Sequence, residues 1–226
     1  MNNVSSDFLH HPSGSESGLA LTINIIFDLD GTLIDSRTRM FELFRRLVPV
    51  SSLDFSAYWA LKRRGDSHRL ILERDFNFNA ADIQTFTENW MQGIEAQDLL
   101  NLDQAIPHIE QALTRLKDRA HLYVCTARQS SWSAENQMAT LGILKYFEKI
   151  LVTEQLRSKT KMLEGIPGLG PNDWLISDSG RDVRTAEELG IKSCAVLTGF
   201  ESKRLLLSYE PDLILQSAAD FEIPNQ

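Results

Sequence analysis

No lysine or arginine occurs before Arg37, no apolar run approaches the roughly 18 residues needed to span a bilayer, and there are only two cysteines. Each scarcity excludes something. Without a basic start, a continuous apolar middle or scattered arginines, the N-terminal stretch reads as neither a secretory signal nor an organelle transit peptide, which leads to the expectation of a cytoplasmic protein. Residues 1–21, "MNNVSSDFLHHPSGSESGLAL", are rich in serine with Pro12 and two glycines, so they are expected to stay disordered, with His10 and His11 solvated. Cys125 and Cys194 both lie in apolar stretches, "LYVC" and "SCAVL", and read as reduced core residues; a zinc site needs more ligands at closer spacing. The net charge of −8 argues against a general nucleic-acid or anionic-membrane binder. An acidic protein that handles an anion must do so through a local site or a metal ion.

What the chain has is 42% hydrophobic residues, enough over 226 positions for a sizeable core. Apolar runs with β-branched residues recur at 23–27, 121–125, 149–152, 174–177, 194–197 and 212–216, and each predicts a buried strand. Helical patterns separate the later ones: "SAENQMATLGILKYF", where Gly142 is a stop signal, and "DVRTAEELG", which ends on Gly190. Strand alternating with helix predicts an α/β fold, a doubly wound parallel sheet covered on both faces.

Residues 38–105 break that rhythm with helical patterns alone. Met40, Phe41, Phe44, Leu47 and Val48, then Tyr58, Trp59 and Leu61, then Leu70, Ile71 and Leu72, then Ile83, Phe86, Trp90, Met91 and Ile94 predict an inserted all-helical subdomain. Asn79, with Asp82 three positions on, is a candidate N-cap, and Asp35 and Ser36 are expected to cap the first of these helices. Pro107 is expected to open the helix that returns the chain to the sheet. The resulting division is a tail (1–21), a core (22–37 and 106–226) and a helical insertion (38–105).

In parallel α/β sheets ligands sit beyond the carboxyl ends of the strands. The first strand delivers "DLDGT", the second "TAR" at 126–128, the third leads to Lys159 and Lys161, and the fourth delivers "SDSGRD" at 177–182. Asp28, Asp30, Asp178 and Asp182 would thus share one crevice with Thr126 and a lysine. Carboxylates so crowded call for a cation, and an oxygen-only ligand set favours Mg²⁺. With metal and lysine opposing phosphoryl charge, one carboxylate can attack phosphorus while another moves a proton.

These four stretches, in this order, resemble the haloacid dehalogenase superfamily of phosphotransferases, from about Ile23 to Phe221. The resemblance implies a Rossmann-like core with a helical cap and a role for each matching residue. Asp28 would be the nucleophile that forms an aspartyl-phosphate; Asp30 would protonate the leaving group, then activate water, and lend its backbone carbonyl to Mg²⁺. Gly31 would let the backbone turn away, with Thr32 in the family's next position. Thr126 would bind a phosphoryl oxygen, with Ala127 beside it against the substrate, and Lys159 would pair with the nucleophile and the transferring group; Lys161 competes for that role. Asp178 would be a metal ligand, and Asp182 would support the metal directly or through water. Ser177 replaces the usual glycine before the acidic residue, and Ala127-Arg128 replaces the usual small or amide residues; Arg128 would either shape the phosphate entrance or form a surface ion pair.

The basic segment "LKRRGDSHR" is either a solvated face or a break at Gly65 that lets residues such as Arg63 and Arg64 reach the substrate. His68 reads as a surface residue, Trp59 and Trp90 as core of the insertion, and His108 and His121 support no site. The expected activity is that of a Mg²⁺-dependent phosphatase acting on a small phosphorylated metabolite. A sugar-phosphate mutase of the β-phosphoglucomutase type uses the same residues, and a silent binding protein on the same fold is a third reading. Dehalogenation is disfavoured because the hydrolytic dehalogenases of the superfamily lack the second aspartate that Asp30 matches.

Overall fold

The computed structural model describes residues 23–224, so the expectations for the tail, including His10 and His11, fall outside the described residues. Strand β1 (Ile23–Phe27) runs through a tight loop into β2 (Ile34–Asp35). Helices α1 (Arg37–Leu47), α2 (Phe55–Arg63), α3 (His68–Phe76), α4 (Ala80–Gly93) and α5 (Gln97–Leu100) follow, before β3 (Gln104–Ala105) pairs antiparallel with β2. The remainder alternates: α6 (Ile109–Lys117), β4 (Ala120–Thr126), α7 (Ser131–Thr140), β5 (Lys149–Val152), α8 (Lys159–Leu163), β6 (Trp174–Ser177), α9 (Gly180–Leu189), β7 (Lys192–Val196), α10 (Lys203–Leu207) and β8 (Leu213–Leu215).

Among the described residues the main sheet has the order β5-β4-β1-β6-β7-β8, every pairing parallel, and its strands are the six apolar runs. Side chains alternate across it. Ile25, Phe27, Leu122, Val124 and Ile176 pack into a core on one face, while Ile26, Tyr123, Cys125 and Leu175 pack into a second on the other. Burial on both faces is why these strands read as continuous apolar runs. The chain leaves β1 outward to β4 and β5, then returns to β6 on the far side of β1. That reversal opens a crevice beyond the carboxyl ends of β4, β1 and β6, where loops diverge to opposite faces.

The helices between β2 and β3 enclose a core of their own, built on Phe44, Val48, Tyr58, Trp59, Ile71, Leu72, Ile83 and Phe86. Asn79 and Asp82 form a capping box at the start of α4. Four local expectations are corrected. Leu70 is exposed while Ile71 and Leu72 are buried. His68 is not a surface residue: its ring stacks with Phe44 and Tyr58, meets Phe86 edge-on and Trp90 at a tilt, and lies 2.8 Å from the Tyr58 hydroxyl. Helix α6 starts at Ile109 rather than Pro107, because His108 sits in the left-handed region with φ 63 and interrupts the helical path. Ahead of α1 it is the Asp35 carboxylate that accepts the Arg37 amide at 3.1 Å; the Ser36 hydroxyl caps nothing.

Candidate active site

Residues 28–34 leave the sheet through a loop in which the amides of Thr32, Leu33 and Ile34 all turn back to the Leu29 carbonyl. Gly31 makes that turn at φ +85, and a Cβ there would stand 2.5 Å from Asp178 Oδ2. The Asp178 carboxylate is gripped on the other side by residues 198–200. A Cβ on Gly199 would lie 1.9 Å from the same oxygen, and the Phe200 amide donates to it at 2.7 Å. Thr32 closes the link, its hydroxyl accepting the Asp178 amide at 3.2 Å. The "GT" of the first strand end and the aspartate of the fourth are thus one packed unit.

Lys159, the first residue of α8, occupies the centre. Its ammonium donates to Asp28 Oδ1 and to Asp182 Oδ2, each at 2.6 Å, and the Ser177 hydroxyl donates to that same Asp182 oxygen at 2.6 Å. Lys161 points elsewhere, pairing with Glu164 at 2.6 Å. One buried ammonium does not balance the carboxylates around it. Burial pushes the Asp28 carboxyl up from its ordinary 3.8 to about 6 against the pull of Lys159. Burial and the neighbouring Asp28 also push Asp178 well up. For Lys159, burial disfavours its charge, but Asp28 and Asp182 outweigh that and keep it protonated.

Asp30 has a different environment. Arg128 forks it, Nε to Oδ2 at 2.7 Å and Nη2 to Oδ1 at 2.8 Å, and Arg39 donates to Oδ1 as well. Burial would raise this carboxyl, yet the two guanidinium groups outweigh it and hold it well below the usual range. Arg128 is 4% exposed, so of its two expected roles the surface ion pair is excluded. Beside it lies Asp103, pushed up to about 6 by burial and held by Arg39 Nε at 3.1 Å.

Thr126 ends β4 buried, and its carbonyl accepts the Thr153 amide at 3.0 Å. Ala127 is exposed beside it, its carbonyl taken by Gln155 Nε2 at 2.6 Å. Arg63 approaches the core, its Nη1 3.4 Å from the Leu197 carbonyl. Arg64 is engaged by Asp66 instead, at 2.5 Å. Sequence reasoning missed Arg39, Asp103 and the Phe200 amide. Arg39 carried a signal: it precedes buried Leu43 by four residues, so helical spacing puts a charge on the inner face of α1.

An aspartate-bearing strand end, a central lysine and acidic residues from a later strand stand together on a parallel sheet with a helical insertion. The sequence matches the haloacid dehalogenase-like hydrolase family over residues 25–196, and the chain belongs to that family. The expectation of a phosphatase of this superfamily is borne out at that level. The chain is 26% identical over 209 residues to the pyrophosphatase PpaX of Oceanobacillus iheyensis, covering 87% of this chain and 93% of the relative. It is also 26% identical over 211 residues to the phosphoglycolate phosphatase of Synechococcus elongatus, with the same coverage of 87% and 93%. Among solved structures, the haloacid dehalogenase-like protein SP0104 of Streptococcus pneumoniae shares the fold with a TM-score of 0.68 at 23% identity, over 87% of this chain and 95% of that one. Among the described residues no helix is long and apolar enough to cross a membrane.

Proposed function

We propose that the chain is a Mg²⁺-dependent phosphomonoesterase that acts on a small phosphorylated metabolite through an aspartyl-phosphate, in the cytoplasm. The observation that carries this reading is Lys159, held 2.6 Å from both Asp28 and Asp182 at the carboxyl end of the sheet. A carboxylate at a central strand end, with a fixed cation beside it, suits attack on a phosphoryl group whose negative charge that cation offsets.

Asp28 would attack phosphorus, forming its carboxylate–phosphorus bond as the ester P–O bond breaks and the electron pair departs with the leaving oxygen. Water would then attack phosphorus, the acyl-phosphate P–O bond would break, and Asp28 would be regenerated as inorganic phosphate forms. The Arg39 and Arg128 pairing keeps Asp30 ionised, which is the form that takes the proton of the attacking water. Serving as the acid in the first half requires Asp30 to collect a proton against both guanidinium groups. Thr126 and the Ala127 backbone would orient the phosphoryl oxygens, Arg63 is placed to contact the rest of the substrate, and the helical unit would act as the cap.

The donor set fits a hard divalent cation, since Asp28 and Asp178 are oxygen donors driven toward neutrality by burial and by neighbouring carboxylates, a cost that a bound cation would offset. No three His, Cys, Asp or Glu side chains form a ready-made cluster among the described residues. The ligands that the family resemblance implies are Asp28 and Asp178 with the Asp30 backbone carbonyl, while Asp182 would support them through Lys159, Ser177 or water. Bound there, Mg²⁺ would neutralise charge on the phosphoryl oxygens.

The test is phosphate release from a panel of phosphorylated metabolites with excess Mg²⁺. Turnover that disappears on chelation is expected; isomerisation of a sugar phosphate that requires a bisphosphate primer would move the chain to the mutases. Metal binding also has a pH signature. Because the folded-state value of Asp28 is raised from 3.8 to about 6, the ion must displace a proton at pH 5 but meets a carboxylate at pH 7.5. The rise in melting temperature on adding Mg²⁺ is expected to be larger at pH 7.5, where saturation at a hundredfold Kd contributes about 2.7 kcal/mol. Equal shifts at the two pH values would take Asp28 out of the ligand set.

A further inference from the structure

We infer that Arg128, backed by Arg39, is a positioning residue that fixes the plane and aim of the Asp30 carboxylate for the water-activating half of the reaction. This rests on the phosphatase reading above. Arg128 follows Thr126 by two residues, so one short loop carries both a phosphate-orienting group and the group that holds the base. Its fork engages both Asp30 oxygens, at 2.7 and 2.8 Å, and Arg39 adds a third donor on Oδ1. Three donors around one carboxylate leave it no freedom to rotate. A lysine would supply the charge as a point and leave the plane free.

The arginines are themselves fixed. Arg39 Nη1 donates to the Ile94 carbonyl at 3.0 Å and its Nε to Asp103 at 3.1 Å. Asp103 in turn accepts from Gln137 Nε2 at 2.9 Å and lies 3.7 Å from Arg128 Nη2. The orientation of Asp30 is therefore referred to α1, to the segment just before β3, to α7 and to the loop after β4. The two arginines face Asp30, Asp103 and Glu95, so each guanidinium has opposite charge beside it at side-chain exposures of 1% for Arg39 and 3% for Arg128.

Stability alone accounts for this badly. Arg128 Nη1 is buried with no hydrogen-bond partner, an unfavourable state that an apolar residue in the same space would not have. Buried ion networks of this kind are often neutral or worse against well-packed hydrophobic substitutes. What the fork supplies, and an apolar side chain cannot, is a carboxylate with one orientation.

The test is a double-mutant cycle in full-length protein with p-nitrophenyl phosphate, whose leaving group needs no protonation, so that hydrolysis of the phospho-enzyme limits turnover. Arg128→Ala is expected to lower kcat about 10- to 100-fold and KM with it, leaving kcat/KM nearly unchanged, because only the second, water-activating step loses its positioned general base. Combined with Asp30→Asn it is expected to cost nothing beyond Asp30→Asn alone. Millimolar guanidinium is expected to restore part of the activity of Arg128→Ala and none of that of the double variant. Multiplying effects in the cycle, or a KM rise that carries the whole loss, would overturn the inference. Arg128→Gln, which keeps the shape and one donor but no fork, goes through the same cycle if the alanine variant does not fold. A parent enzyme that releases no phosphate would instead defeat the phosphatase reading, and the inference with it. An active parent whose Arg128→Ala variant keeps its kcat defeats the inference alone.

Discussion

Asp28→Asn is expected to abolish phosphatase turnover, by at least roughly 10³-fold, while leaving the protein folded and more stable than its parent at pH 7.5. The loss follows from chemistry: an amide lacks the negative charge that attacks phosphorus, and among the described residues no other carboxylate sits both at the β1 end and beside Lys159. The gain follows from the environment. Burial raises the Asp28 carboxyl from 3.8 to about 6 even with Lys159 in contact, so above pH 6 its charge opposes folding by on the order of 3 kcal/mol. The sign can be followed with pH. A raised folded-state value means that the native protein binds the extra proton. The penalty is absent below 3.8, grows between 3.8 and 6, and is complete above that. The difference in melting temperature between Asp28→Asn and parent, measured without metal, is expected to vanish near pH 4 and to be largest above pH 6. A variant that turns over at the parent's rate removes Asp28 as nucleophile. A constant difference across that range would show that the charge is not what burial penalises.

The sheet was the most legible part of the molecule because its strands are buried on both faces, so runs such as "INIIF" and "WLIS" are apolar but for one buried residue each, Asn24 and Ser177. The two-residue strands β2 and β3 were illegible for the opposite reason: Ile34–Asp35 and Gln104–Ala105 are too short to carry a period, and only their pairing across the insertion reveals them. Asp28, Asp178 and Lys159 could be read because strand ends of a parallel sheet converge, so position along the chain implies proximity. The surroundings of Asp30 could not be read in that way. Arg39 and Asp103 belong to segments that approach the crevice from the inserted helices, and nothing in strand order says that they meet Arg128. The same limit applied to Arg128, for which a place at the phosphate entrance and a surface ion pair both stood open, and which is buried against Asp30. Likewise the amide of Phe200 became a partner of Asp178 only through close approach at Gly199, which sequence position alone does not announce.

Lys159→Met should separate this lysine from Lys161 and show what one buried ammonium does for the whole site. The methionine keeps much of the length and volume, so the main change is charge. Asp28 and Asp182 lose their shared partner, and breaking a buried pair in this way typically costs about 3–5 kcal/mol. Turnover is expected to fall roughly 10³-fold, because the phosphoryl group loses the fixed cation that faces it and Asp28 is driven further toward the protonated acid. Stability and activity should then respond to pH in opposite senses. With the lysine gone, the folded-state value of Asp28 moves above 6, so the variant is least destabilised in acid and falls further behind the parent as pH rises, while any residual turnover needs the ionised form and so rises with pH. Lys161→Ala is the control, since its ammonium is exposed and bound only to Glu164, and its activity is expected to match the parent. Urea unfolding at pH 5 and pH 8, with turnover measured on the same samples, checks both halves. If Lys161→Ala lost activity and Lys159→Met kept it, the centre of positive charge would have to be moved two residues along α8, and the contacts from Asp28 and Asp182 to Lys159 would have no catalytic meaning.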